Sequence, residues 1–247
     1  MALFVLGLVS FASWFFSMLA GAGSPLILIP LVSALCGSAA VPPVITLGML
    51  LGNGQRSVFL WEKIDWRITA WYLPGAIAGG ILGAYCFSLI QMDWLQWVLA
   101  IVLIALALYQ WRTEKTEAVL RLEIKPWHFL PLAFLNGMGS ALIGSTGPIL
   151  NPAYLGYGLV KESMIATKAF HNTMLHIVKV VAYVYLGTMV QEHLVYGLVI
   201  GAAALPGNWL GQMVLRRMSP EQFKKAVLAF VAFSGLLMLG RQLTLVL

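Results

Sequence analysis

Apolar runs separated by short polar turns occupy most of this chain of 247 residues. Hydrophobic residues make up 60% of the sequence and charged residues 10%, whereas soluble domains carry about 25% charged residues. The runs lie at about 2–20, 25–40, 43–60, 68–90, 94–111, 127–143, 148–159, 163–187, 194–215 and 224–246. A helix that crosses the hydrocarbon core needs roughly 20 apolar residues, and most runs are that long. The sequence therefore predicts an all-α polytopic membrane protein.

Two of these runs, 25–40 and 148–159, are short, and each follows a stretch rich in glycine and proline. The stretches are GAGSPLILIP and GSTGPILNP. A helix break in hydrocarbon is tolerated only where the backbone lines a cavity or is buried in protein. Proline suits the first position of a helix, so the following N–H groups would face the break and form an anion site. The candidate residues are Gly21, Gly23, Ser24, Pro25, Gly144, Ser145, Thr146, Gly147 and Pro148. Whether the two short runs span the membrane or re-enter is left open.

The ten runs form two sets of five. Adding 128 to the residue number aligns 79–100 with 207–228 without a gap, and adding 119 places Asn53 on Asn172. The glycines of the aligned helices, which are Gly75, Gly79, Gly83, Gly207 and Gly211, are expected to permit close helix contact. The pattern predicts two transmembrane repeats with broken or re-entrant helices after the Gly/Pro motifs. Their bounds are 1–112 and 126–247, with a linker at 113–125.

The charge of the turns indicates that the repeats are inverted. Turn 61–67 holds Lys63 and Arg67 but its counterpart 188–193 has no Lys or Arg, and the other equivalent turns differ in the same way. By the positive-inside rule, equivalent turns then lie on opposite sides of the membrane. The segment 112–125 is predicted to be cytoplasmic and both termini external, in a bacterial inner membrane. This topology explains the net charge of +6, so nucleic acid is not expected as a partner.

Polar side chains form a stripe on each of two central runs. The residues on the two stripes are Thr46, Asn53, Arg56, Ser57, Lys168, Asn172, His176, Lys179 and Tyr183, with His171 at the border. Polar groups near the middle of a membrane are costly and usually functional. No Asp or Glu lies within an apolar run, so the buried positive charge predicts an anionic ligand. Arg56, Lys168 and Lys179 have snorkelling to the membrane surface as an alternative. His176 is a candidate for proton coupling, and Lys168 and His171 are candidates for proton coupling or the anion path.

The two glycine-proline stretches resemble the paired signature of the sulfite exporter TauE/SafE family of bacterial membrane permeases. KESMIATKAFHNTMLHIVKVVAYVYLG (161–187) and IDWRITAWYLPGAIAGGILGAY (64–85) also resemble segments of that family. The resemblance implies export of sulfite, or of an organosulfonate such as sulfoacetate. The residues by themselves indicate a secondary transporter for a small anion, working by alternating access with its site between the repeats.

Two other functions remain open from the sequence. A passive anion channel would use the same kind of site. An intramembrane serine hydrolase would use Ser145 with His171 or His176 as its base. We expect no enzyme activity, because a single nucleophile would not require the break to occur in both halves of the chain. We also expect no cofactor and no bound metal, because the sequence contains neither a nucleotide-binding loop nor a metal-ligand spacing. The expected partners are a small anion and the lipid bilayer, and a homodimer is compatible with the sequence.

Overall fold

The computed structural model describes residues 2–19, 23–89, 124–146 and 149–223, and all regular elements in these ranges are helical. The all-α prediction is therefore confirmed for the described part of the chain. The α-helices are α1 (Ala2–Leu19), α2 (Ser24–Cys36), α3 (Val41–Phe59), α4 (Trp66–Leu89), α5 (Phe129–Ile143), α6 (Asn151–Tyr157), α7 (Lys161–Tyr185) and α8 (Gln191–Arg217).

Each predicted run within the described residues corresponds to a helix whose ends are shifted by a few positions. The runs at 94–111 and 224–246, and most of the linker 113–125, lie outside the described residues. The helices α1, α4 and α8 are long and apolar enough to cross a membrane. Helices α3 and α7 are at least as long as α1 but carry buried polar side chains, which lowers their hydropathy.

The two helices that follow the glycine-proline stretches are short. Helix α2 has 13 residues and α6 has 7, so at 1.5 Å per residue they are about 20 Å and 10 Å long. The hydrocarbon core is about 30 Å thick, so neither helix crosses it alone. Pro25 is at the start of α2, as predicted. The second helix begins later than predicted, at Asn151, because Ile149 and Leu150 form a turn before it.

Glycine brings two pairs of helices into backbone contact. A Cβ atom at Gly79 would lie 2.1 Å from the carbonyl oxygen of Phe134, between α4 and α5. One at Gly207 would lie 2.7 Å from that of Phe11, between α8 and α1. At Gly75, Gly83 and Gly211 the nearest atoms of the partner helix are 2.1, 2.5 and 2.6 Å away. The predicted role of these glycines in close helix contact is confirmed.

The helix contacts define two groups. Helix α8 packs against α1 and α3, and we call these three helices the first group. Helix α4 packs against α5 and α7, and we call these the second group. The groups meet where α3 packs against α7. The contacts α1–α8, α4–α5, α3–α8, α4–α7 and α3–α7 are unchanged when α1 to α4 are exchanged for α5 to α8, whereas the contacts of α2 with α1 and α3 are not matched to the same extent by α6.

Gly79→Ala should destabilise the folded protein. The new Cβ atom would meet a backbone carbonyl that cannot rotate away, so α4 and α5 must separate, at a cost of about 1–3 kcal/mol. Thermal unfolding in detergent should show a lower Tm. Gly7→Ala is the control, because its Cβ would be 3.8 Å from the nearest side chain. Equal Tm values for both variants would contradict a rigid α4–α5 contact.

Candidate functional site

A small cavity lies where both glycine-proline stretches approach α3 and α7. Its described lining residues are Ser17, Gly23, Ser24, Pro25, Met49, Asn53, Arg56, Ser145, Ile165, Lys168, Ala169 and Asn172. The cavity volume is about 20 Å³, which is enough for about one water molecule. A larger ligand therefore requires the surrounding helices to separate.

The structure brings half of the sixteen predicted site residues to this cavity. The eight that line it are Gly23, Ser24, Pro25, Asn53, Arg56, Ser145, Lys168 and Asn172. Gly21, Gly147 and Pro148 lie outside the described residues. The other five, which are Gly144, Thr146, His171, His176 and Lys179, lie elsewhere in the protein.

The guanidinium group of Arg56 is held inside the protein by α1 and α8. Its Nε donates to Asn208 Oδ1 at 2.6 Å, and its Nη atoms donate to the carbonyl of Trp14 at 2.9 Å and to Ser17 Oγ at 3.2 Å. The group also lies 4.6 Å from the centre of the Trp14 ring, within the range of a cation–π contact. Arg56 is 5% exposed, so its side chain faces the interior and does not extend to the membrane surface.

Lys168 provides the second positive charge at the cavity. Its ammonium donates to Asn151 Oδ1 at 2.5 Å, and Asn151 is the first residue of α6. The Nδ2 atom of Asn151 is buried and makes no hydrogen bond to the described residues. Each cation of the cavity is thus bound by an asparagine oxygen from another helix.

Sequence reasoning missed both of these asparagines. Asn151 lies within GSTGPILNP, and Asn208 lies between two of the glycines that were assigned to helix contact. The available signal was an amide side chain inside an apolar run, which is costly without a partner. The sequence does not identify the partner, because Asn208 is separated from Arg56 by 152 positions.

Lys179 does not line the cavity; it binds the end of α5. Its ammonium donates to the carbonyl oxygens of Ser140 at 2.9 Å and Gly144 at 2.7 Å, and to Ser140 Oγ at 3.0 Å. Gly144 ends the helix with a φ of 90°, a conformation that favours glycine. His176 is also buried, with Nδ1 3.5 Å from the same ammonium. Lys179 therefore lies at the end of α5, where its ammonium pairs with carbonyl oxygens that have no partner within the helix.

The hydroxyl of Thr146 is directed away from the cavity. It donates to Asn136 Oδ1 at 2.5 Å, and Asn136 Nδ2 donates to the hydroxyl of Tyr72 at 3.0 Å. A hydroxyl has one proton to donate. In this structure the hydrogen bond from Thr146 links the break to Asn136 on α5 and, through Asn136, to Tyr72 on α4.

His171 is bonded through both ring nitrogens. Nε2 lies 2.9 Å from Thr69 Oγ1 and Nδ1 lies 2.8 Å from the hydroxyl of Tyr154, while its ring stacks on Tyr72 with 3.9 Å between centroids. A hydrolase would need a ring nitrogen within reach of Ser145. Both nitrogens of His171 already have partners, so this histidine does not serve as that base here.

Comparison with known protein families gave a match over most of the chain. The family model of the sulfite exporter TauE/SafE matches residues 5–238. The chain belongs to this family. The TauE/SafE family consists of transporters, not enzymes, so this TauE/SafE protein is a multi-pass membrane transporter of the anion-exporter class. Comparison with curated proteins and with solved structures gave no significant match. Within the described residues, no group of His, Cys, Asp and Glu side chains is arranged to hold a metal ion.

Lys179→Met should destabilise this TauE/SafE protein. Methionine has a similar length but cannot donate, so the carbonyls of Ser140 and Gly144 would stay buried without this partner, at about 1–3 kcal/mol each. The expected readout is a lower Tm in detergent. Lys179→Arg, which retains donors, should recover part of the loss. An unchanged Tm for Lys179→Met would contradict the role at the end of α5.

Proposed function

We propose that this TauE/SafE protein exports a small oxyanion, sulfite or an organosulfonate such as sulfoacetate, across the bacterial inner membrane. The observation that carries the proposal is the pair of cations, Arg56 and Lys168, at one cavity beside both glycine-proline stretches. None of the described lining residues is acidic. A buried site with excess positive charge is suited to an anion.

The cavity also offers neutral donors to such an anion. The side chain of Asn172 lines it and makes no hydrogen bond to a described residue. Among the described residues, the hydroxyl of Ser24 donates only to the sulfur of Met49, at 3.7 Å, and sulfur is a weak acceptor. Helix α2 begins at the cavity, so the positive end of its dipole adds to the potential there. These groups are positioned to replace part of the water shell of an oxyanion.

Alternating access would occur by relative movement of the two helix groups. Arg56 belongs to the first group and Lys168 to the second, and the cavity lies where the groups meet. The symmetrical contact pattern supports an origin in two inverted repeats, an arrangement used by many secondary transporters. In the proposed topology both termini are external and segment 112–125 is cytoplasmic.

Flux in proteoliposomes tests the function. Sulfite, sulfoacetate, sulfate and chloride are compared with and without a proton gradient. Saturable flux that is selective for sulfite or sulfoacetate is expected. Fast, unsaturated flux of several anions would replace the carrier with a passive channel, and no flux of any anion would overturn the proposal.

Asn172→Ala should weaken substrate binding and leave the fold intact. Losing one hydrogen bond to a charged ligand costs about 1.5–3 kcal/mol, which raises KM by roughly ten- to a hundredfold. No described protein group loses a partner, so Tm should not change. Gln191→Ala, at the exposed start of α8, is the control. An unchanged KM would remove Asn172 from the binding site.

A further inference from the structure

We infer that the anion leaves the cavity along a row of buried donor side chains on α1, which α2 uncovers by moving away. The inference rests on the proposed function and adds the external part of its transport path. The row, which we call the α1 donor row, consists of Ser10, Ser13 and Trp14. Ser17, about one turn further along the same helix, lines the cavity.

The donors of this row are buried and unpaired. Ser10, Ser13 and Trp14 are at most 2% exposed, and neither the two hydroxyls nor the indole N–H bonds to a described residue. A serine inside a helix can bond to the carbonyl four positions earlier, but these two serines do not. An unpaired buried donor costs free energy. Alanine would fit at both positions without that cost, so close helix packing does not account for the hydroxyls.

The two serines of the row lie on the face of α1 that is turned to α2. At 100° per residue, Ser10 and Ser13 lie within about 40° of Leu6. Leu6 belongs to one buried cluster with Leu28 of α2, whereas the backbone of Phe11 contacts α8. The α2 side chains of this cluster are apolar. In this structure α2 therefore covers the hydroxyls and offers them no acceptor.

The attachment of α2 allows it to move. The helix belongs to neither helix group, and it is flanked by Gly23 with a φ of 124° and Gly37 with a φ of 82°. Glycine tolerates the large backbone rotations that a hinge requires. The α2 side chains are mainly apolar, and among the described residues Ser24 donates only to a sulfur. Few directional contacts would therefore be lost when α2 separates from α1.

The depth of the cavity makes a long external path necessary. In the proposed topology α1 and α3 have their cytoplasmic ends at Leu19 and Phe59. Ser17 and Arg56, which line the cavity, lie within one turn of these ends. Ser10 is about 10 Å further toward the external side, at 1.5 Å per residue. Its hydroxyl and the other donors of the row carry no charge, so they bind an anion more weakly than the cavity and allow it to move on.

Cysteine labelling in right-side-out membrane vesicles tests the path. Ser10→Cys and Ser13→Cys are each made in a protein whose native Cys36 and Cys86 are replaced by alanine. Both cysteines should react from outside, about tenfold faster with an anionic than with a cationic thiosulfonate, after correction for the reactivity of each reagent with a free thiol. Ala133→Cys, at a position on α5 with 0% exposure, is the control and should not react.

The labelling result separates the inference from the proposed function. Cysteines that stay unreactive in variants that still transport would overturn the inference, and so would equal corrected rates for the two reagents. Absence of saturable anion transport by the unmodified protein would instead overturn the proposed function.

Alanine at the two serines distinguishes a path from a packing role. Ser10→Ala combined with Ser13→Ala removes two unpaired hydroxyls, so Tm should stay the same or rise. The kcat of transport should fall about tenfold, which corresponds to ~1.4 kcal/mol, because the leaving anion loses two donors. Ser57→Ala is the stability control: its buried hydroxyl bonds to Asn53 and Thr173, so Tm should fall. An unchanged kcat in the folded double variant would overturn the inference.

Discussion

The buried end of α5 depends on the ammonium group of Lys179. A helix that ends away from water leaves carbonyl oxygens without partners, and hydrocarbon supplies none. Lys179 donates to two such oxygens, those of Ser140 and Gly144. The same contact joins α7 to the chain break that follows α5. It therefore helps to set the position of Ser145 relative to the α7 residues that line the cavity. A single side chain thus makes the interrupted helix tolerable and positions part of the site.

The positive charges of the cavity are integrated into the packing of the protein. Arg56 contacts Trp14 and Asn208, which come from opposite ends of the chain. Lys168 contacts Asn151, the residue that begins α6. Arg56 is therefore fixed by two helices of its own group, α1 and α8, whereas Lys168 is fixed by α6, which belongs to neither group. A change in the relation of the groups would change the distance between the charges and hence the field at the ligand.

Much of this architecture can be predicted from the sequence, because hydrophobic run length, glycine spacing and proline position are local signals. They predicted the described helices, the close contacts of Gly79 and Gly207, and the meeting of the two broken stretches with Arg56 and Lys168. The hydrogen-bond partner of each polar side chain cannot be predicted from such local patterns. Thr146 was predicted to face the anion but donates to Asn136, and Lys179 was predicted on the anion path but binds helix-end carbonyls. Such outcomes depend on which helix packs alongside, which these local signals leave open.

The glycine contacts also have a mechanical consequence. Where backbones touch, as at Gly79 against Phe134 and Gly207 against Phe11, no side chain lies between them to absorb displacement by changing rotamer. Each helix group should therefore move as a rigid body. The contact between α3 and α7 should deform more easily than those backbone contacts, because hydrogen bonds between hydroxyls, such as that of Ser57 with Thr173 at 3.2 Å, are readily exchanged for hydrogen bonds to water. When the cavity enlarges, the change in structure should be concentrated at the contact between α3 and α7. The helix groups on either side should then move without changing their internal packing.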